Sequence, residues 1–210
     1  MNPPAVLVPV KSTGTKSRLS QVLSEKERRE FVALVLLELL GQLRKASLIS
    51  KSRVISSDGR ILGLASSEGA LAIRETSDAG VNEAVLKGVK SSNESATFLV
   101  LPADLPLITS SHIRHLLRMG SAGHSVVLAP SLGFNGTNAL IFSPRDGLEL
   151  SYDRDSFWNH LRSAARCGIS TGVCSTKEVM FDVDTPSDLR ALASMKSTRP
   201  PVAFARRALH

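Results

Sequence analysis

Apolar and polar residues fall into blocks along this chain, and the spacing inside each block switches between the two periods that mark strands and helices. Compact apolar runs of strand length occur at AVLVPV (residues 5–10), SRVISS (52–57), ALAIRE (70–75) and ATFLVL (96–101). Between them, SEKERREFVALVLLELLGQLRKA (24–46), ILGLASSEG (61–69) and VNEAVLKGVKS (81–91) place apolar residues at helical spacing. The longest of these helices carries its own start and stop signals. Ser24 with Glu27 three residues on makes a capping box, and Arg44 and Lys45 at the far end complement the helix dipole. Strands that alternate with helices predict parallel βαβ units and a doubly wound sheet.

The second half is less regular. HIRHLLRM (112–119) reads as a helix, SVVLAP (125–130) as a strand, and TNALIFSP (137–144) as another strand after the turn GFNG. Asp155 is placed to cap SFWNHLRSAARC (156–167), with Gly168 as its stop. VMFDVDTPSDLRALASM (179–195) predicts a strand, a carboxylate pair and then a helix, with Thr185 as N-cap and Pro186 at the first helical position. The expected fold is therefore a single α/β domain over residues 1–195, with a Rossmann-like, mostly parallel sheet. Residues 196–210 hold four cationic residues and no acidic one, and are expected to be a solvated, disordered basic tail dispensable for turnover.

Composition narrows the function without choosing it. With 42% hydrophobic and 21% charged residues in 210, the chain has the make-up of a globular protein. FVALVLLELLGQL (31–43) is interrupted by Glu38 and Gln42 and is too short to span a bilayer, and no signal peptide is evident, so no membrane association and a cytoplasmic location are expected. A net charge of +7 suggests an anionic partner, whereas 4% aromatic residues disfavour nucleic-acid binding by base stacking. Cys167 and Cys174 fit reduced core thiols. His112 and His115, three apart, lack a third metal partner. Phe157 and Trp158 are expected in the core. The run FVALVLLELL is apolar enough for either a core or a homodimer face.

The chemistry concentrates where strands end. FLVLPADLPLI (98–108) stops on Asp104 between Pro102 and Pro106, so a carboxylate sits on a stiff turn at the carboxyl edge of the sheet, where open α/β folds bind ligands. Asp182 and Asp184 in FDVDTP stand two apart and face one side if the backbone there is extended. Three hard oxygen donors converging at that edge suit Mg²⁺. The first loop, KSTGTKSR (11–18), gathers Lys11, Lys16 and Arg18 around Gly14, a composition able to wrap a triphosphate although it lacks the Walker A spacing.

Taken in order, VPVKSTGTKSRLSQVLSEKERR, GVNEAV, LPADLPL, GTNAL, a later S-F-x-x-H and DVDTPSDL resemble the 2-phospho-L-lactate guanylyltransferases over roughly residues 5–193. The resemblance implies a fold of the nucleotide-diphospho-sugar transferase type. It also implies an enzyme that joins GTP to 2-phospholactate or phosphoenolpyruvate, a phosphorylated three-carbon acid, and releases pyrophosphate in the route to the deazaflavin coenzyme F420. It assigns Asp104, Asp182 and Asp184 to Mg²⁺, and Lys11, Gly14, Lys16, Arg18 and Asp104 to the nucleotide, with Asn82 near it. Thr137, Asn138 and Ser156 fall to the phospho-acid, with His160, one helical turn beyond Ser156, within reach of it. The attacking phosphate oxygen is already anionic, so no general base is needed; alignment, metal and the Lys and Arg charges carry catalysis.

One departure stands out. The family's F-G-x-G-S turn reads YDRDS here, with Asp153 and Asp155 in place of glycines, which brings the acid specificity into question: the expectation is that the aspartates face solvent, the alternatives being neutralisation by Arg154 or a metal ion and acceptance of a substrate hydroxyl, which would favour a hydroxylated acid such as 3-phosphoglycerate. The rival assignments are another nucleotidyltransferase of the same fold, such as a molybdopterin guanylyltransferase, and a non-catalytic nucleotide-binding protein. The first should carry a glycine-run loop, L-A-G-G-x-x-x-R, which is absent; the second has no need of three aspartates at the sheet edge.

Overall fold

The computed structural model describes residues 4–11, 16–76, 80–92 and 96–209. In chain order these form β1 (Ala5–Pro9), α1 (Glu25–Lys45), β2 (Ser52–Ser56), α2 (Gly59–Ser67), β3 (Leu71–Arg74), α3 (Val81–Lys90), β4 (Phe98–Val100) and α4 (Ser110–Ser121). There follow β5 (Val126–Pro130), β6 (Thr137–Phe142), α5 (Ser156–Arg166), β7 (Thr171–Val173), α6 (Lys177–Met180), α7 (Pro186–Ser194) and α8 (Pro200–Ala208). One seven-stranded sheet runs in the order β3-β2-β1-β4-β6-β5-β7. Its ladders are parallel except where β6 pairs antiparallel with β4 and with β5.

The sheet is covered on both faces, which explains why its strands read as unbroken apolar runs. Val6, Val8, Leu99, Val127 and Ile141 pack on one side with α1, α2 and α4, through residues such as Leu36, Leu40, Ala65 and Ile113. Ala5, Leu7, Ile55, Phe98 and Leu140 face the other side, toward Ala84 and Val85 of α3 and Phe157 of α5. Gly88 sets how closely α3 approaches: a Cβ there would lie 2.8 Å from Leu7 Cδ2. The run FVALVLLELL supplies core, with Phe31, Val32, Val35, Leu36, Leu39 and Leu40 buried. The Ser24–Glu27 capping box forms as expected.

Four expectations are corrected. The strand expected at VMF is absent, because 177–180 coil into α6 and β7 occupies the sheet edge beside β5; residues 181–184 instead run extended across the carboxyl ends of the strands. The tail is not disordered: α8 buries Pro201, Val202, Phe204 and Ala205 in a third core with Phe31 and Val35 of α1 and Leu189 and Leu192 of α7. Trp158 is 45% exposed rather than core, and Cys167 is exposed while Cys174 is buried.

Candidate functional site

A cleft of about 410 Å³ opens over the carboxyl ends of the central strands. Asp104 reaches it from the turn after β4, where Leu101 N–H still donates to Leu7 O and the prolines end the ladder. Asp182 and Asp184 reach it from the extended 181–184 segment, and period-2 geometry turns Val183 between them into the core, fully buried. That segment is not held by a strand ladder. Val183 N–H donates to Asp104 O at 3.3 Å, while Asn138 Nδ2 donates to Val179 O, Met180 O and Asp182 Oδ1 at 3.1, 2.9 and 3.3 Å. Asn138, expected at the substrate, is thus chiefly the fastening of the aspartate segment, although it also lines the cleft.

One carboxylate oxygen from each of the three aspartates lies within 4.8 Å of the other two. Lys16, in the left-handed region at φ 52°, places its ammonium 3.3 Å from Asp104 Oδ2 and 2.5 Å from Asp184 Oδ1 with the side chain only 10% exposed. Burial works against the Lys16 charge, but the pull of Asp104 and Asp184 outweighs it and holds the pKa above its ordinary value. For Asp184, burial is likewise outweighed by Lys16, and its pKa falls. Asp182 is left with the uncompensated share: burial, and then repulsion from Asp104 and Asp184, push it up to about 6. Asp104 Oδ1 is buried with no hydrogen-bond partner. Lys16 is bonded to two of the carboxylates, and Arg18 and Lys11 also pull on Asp184, yet Asp104 keeps one buried oxygen without a partner, which is costly. The donor set fits a divalent, oxygen-liking cation.

Two hydroxyl residues, Thr137 and Ser156, also line the cleft. Thr137 opens β6 and Ser156 opens α5, so the helix's N-terminal N–H groups and their positive end lie at the cleft. Lys11, Arg18, Gly136, Tyr152 and Asp153 also line it. Asp155 sits at the N-cap of α5 with φ 58° and makes no side-chain cap, so the expected capping bond is absent; its backbone occupies the left-handed region that glycine favours.

Of the residues singled out in the sequence, Lys11, Lys16, Arg18, Asp104, Thr137, Asn138, Ser156, Asp182 and Asp184 line this one cleft. Gly14 lies outside the described residues. Asn82 is not on the wall: its Oδ1 accepts from Tyr152 N–H at 2.8 Å and its Nδ2 donates to Asp153 Oδ2 at 3.3 Å, so it ties α3 to the 152–153 turn. His160 is fully buried behind Thr137. Tyr152 and Gly136 were missed as lining residues; their only signals were adjacency to the YDRDS and GTNAL motifs.

Residues 4–199 match the family model described as guanylyl transferase CofC like. A phosphoenolpyruvate guanylyltransferase of Rubrobacter xylanophilus is 36% identical over 189 residues, 89% of this chain and 91% of that one. A 2-phospho-L-lactate guanylyltransferase of Methanocaldococcus vulcanius is 33% identical, covering 88% of this chain and 81% of its own. Among solved structures, a candidate nucleotide-diphospho-sugar transferase from Desulfovibrio desulfuricans superposes with a TM-score of 0.75 at 13% identity, over 96% of this chain and 93% of that one. A nucleotidyl transferase from Methanothermobacter superposes at 0.65 and 14%, over 97% and 99%. The fold is that of the nucleotide-diphospho-sugar transferases. No helix among the described residues is long and apolar enough to cross a membrane.

Proposed function

The chain belongs to the CofC-like guanylyl transferases and is a nucleotidyltransferase, and on that premise we propose that it joins GTP to a phosphorylated three-carbon acid with release of pyrophosphate, a step of coenzyme F420 biosynthesis. The observation that carries the proposal is that one cleft is lined by two unlike sets of groups. One is a carboxylate cluster with Lys16, and the other is hydroxyls with a helix N-terminus. The first set suits a metal-bound triphosphate and the second an oxyanion.

In this proposal Asp104, Asp182 and Asp184 hold Mg²⁺. The ion, when bound, supplies charge neutralisation at the phosphates. Lys11, Lys16 and Arg18 offset the charge that grows on departing pyrophosphate, and Lys16 is already drawn into the cleft by Asp184. Thr137, Ser156 and the N-terminus of α5 hold the acid so that its phosphate oxygen points along the cleft toward the nucleotide. No side chain has to remove a proton, because that oxygen is ionised at neutral pH.

A second possibility concerns the acid alone. Asp153 stands on the cleft wall, steadied by Asn82, and no Lys or Arg is within ion-pair distance of it among the described residues. A carboxylate there accepts a hydrogen bond from a substrate hydroxyl, which 3-phosphoglycerate has and phosphoenolpyruvate lacks. The test is incubation with GTP, Mg²⁺ and 2-phospholactate, phosphoenolpyruvate or 3-phosphoglycerate in turn, with ATP, CTP and UTP as controls and pyrophosphate release as readout. Release with GTP and at least one acid is expected; release with none, or with another nucleotide preferred, would refute the proposal.

A further inference from the structure

Behind Thr137 lies a set of hydrogen bonds, through Ser156, His160 and Ser151, whose directions follow from donor chemistry. Among the described residues Thr137 Oγ1 has two partners, Ser156 Oγ at 3.1 Å, which donates to it, and His160 Nδ1 at 3.0 Å. The other nitrogen of His160, Nε2, accepts from the backbone N–H of Ser151 at 3.0 Å. The ring is fully buried, and Tyr152 packs edge-on against it with centroids 4.9 Å apart. Burial favours the uncharged imidazole, which carries a single N–H.

The direction of the His160–Thr137 bond follows by elimination. Ser151 N–H can only donate, so Nε2 must offer its lone pair and the ring proton resides on Nδ1. Nδ1–H then donates to Thr137 Oγ1. That oxygen now accepts from both Ser156 and His160, and its two lone pairs are used. What remains is its own O–H, on a residue that lines the cleft.

We propose that His160 is a positioning residue that fixes the Thr137 hydroxyl as an obligate hydrogen-bond donor to an anionic oxygen of the acceptor substrate. The ligand named here rests on the function proposed above. A hydroxyl free to rotate would serve an acceptor or a donor equally; one with both lone pairs engaged rewards a carboxylate or phosphate oxygen and rejects a ligand N–H or O–H at the same point. His160 acts without touching the substrate, and the backbone of Ser151 sets its tautomer.

Two amide variants separate positioning from packing, because an Asn amide nitrogen overlays Nδ1 and a Gln amide oxygen overlays Nε2. His160→Asn retains a donor to Thr137, whereas His160→Gln retains only the partner of Ser151. The expected result is a rise of about tenfold in KM for the phospho-acid in His160→Gln, the scale of one hydrogen bond. KM for GTP should stay unchanged, and His160→Asn should restore the acid KM to within about threefold of wild type. In a Thr137→Val background, His160→Gln should add less than twofold. The nitrogen chemical shifts of His160 in ¹⁵N-labelled wild-type protein should show the proton on Nδ1. A proton on Nε2, equal KM increases in the Asn and Gln variants, or a full His160→Gln effect without the Thr137 hydroxyl would overturn the proposal. Wild-type protein that turned over no acid would instead sink the functional premise and the ligand named from it, while the nitrogen shifts still decide the tautomer.

Discussion

Phe204→Ala tests whether the carboxyl-terminal helix is part of the folded enzyme. The ring is 2% exposed, lies 5.5 Å from that of Phe31 on α1, and carries the Arg207 guanidinium 5.4 Å above it. Truncating a buried phenylalanine costs about 3–5 kcal/mol, and the contact with the exposed Arg207 adds up to about 1 kcal/mol. For a chain of this size, about 4 kcal/mol lowers Tm by roughly 8–16 °C. The consequence extends to the site, because Arg199 at the start of α8 donates to Pro106 O and Ile108 O at 3.3 and 3.1 Å, on the loop that follows Asp104. Thermal and urea unfolding should therefore show the loss in Phe204→Ala with kcat at 20 °C close to wild type, since Arg199 remains. Deletion of 196–210 should lower stability and turnover together. A Phe204→Ala loss below about 1 kcal/mol would refute the docking of α8.

Gly88→Ala should destabilise by about 1–3 kcal/mol in urea unfolding, since its Cβ would meet Leu7 Cδ2 at 2.8 Å and Ile55 Cδ1 at 3.3 Å. Ser24→Ala removes one half of a capping box and should cost about 1 kcal/mol, read as a shift in the urea midpoint with unchanged activity. Burial pushes His160 down to about 4, below its unfolded value near 6.5, so its neutral form stabilises the fold above pH 6.5 and that contribution is lost as pH falls toward 4. The full difference is about 3 kcal/mol, of which roughly 2 kcal/mol falls between pH 7 and 4.5, so over that range the stability of wild type should drop by about that much more than the stability of His160→Asn.

The sequence revealed the elements whose signals are local and left unread those that tertiary context decides. The capping boxes at Ser24 and Thr185, the buried strands around Leu7 and Leu99, and the proline-ended turn at Asp104 each carry their cause within a few residues. The stretch VMFDVD has strand composition but takes no place in the sheet, and the position beside β5 is held by β7, with only three residues and a glycine at its centre. Asp182 and Asp184 nevertheless face one way, since extended backbone suffices and Asn138 fastens it from 44 residues earlier. Helix α8 was obscured by its charge: Arg199, Arg206 and Arg207 bond outward to carbonyls or to Glu30, while Val202, Phe204 and Ala205 turn inward. In the site, His160 was legible as a residue of interest and its depth was not, because its place behind Thr137 depends on how α5 meets β6.

Asp104→Asn tests the three-aspartate account most directly. The amide keeps the side chain's shape and removes the charge at the one carboxylate that, among the described residues, has a buried, unpartnered oxygen. Pyrophosphate release from GTP and the preferred phospho-acid should require Mg²⁺ in wild type and fall roughly a thousandfold in the variant, with an unchanged circular dichroism spectrum. Release within about tenfold of wild type by a folded Asp104→Asn protein, or wild-type release undiminished by removing divalent metal, would contradict it.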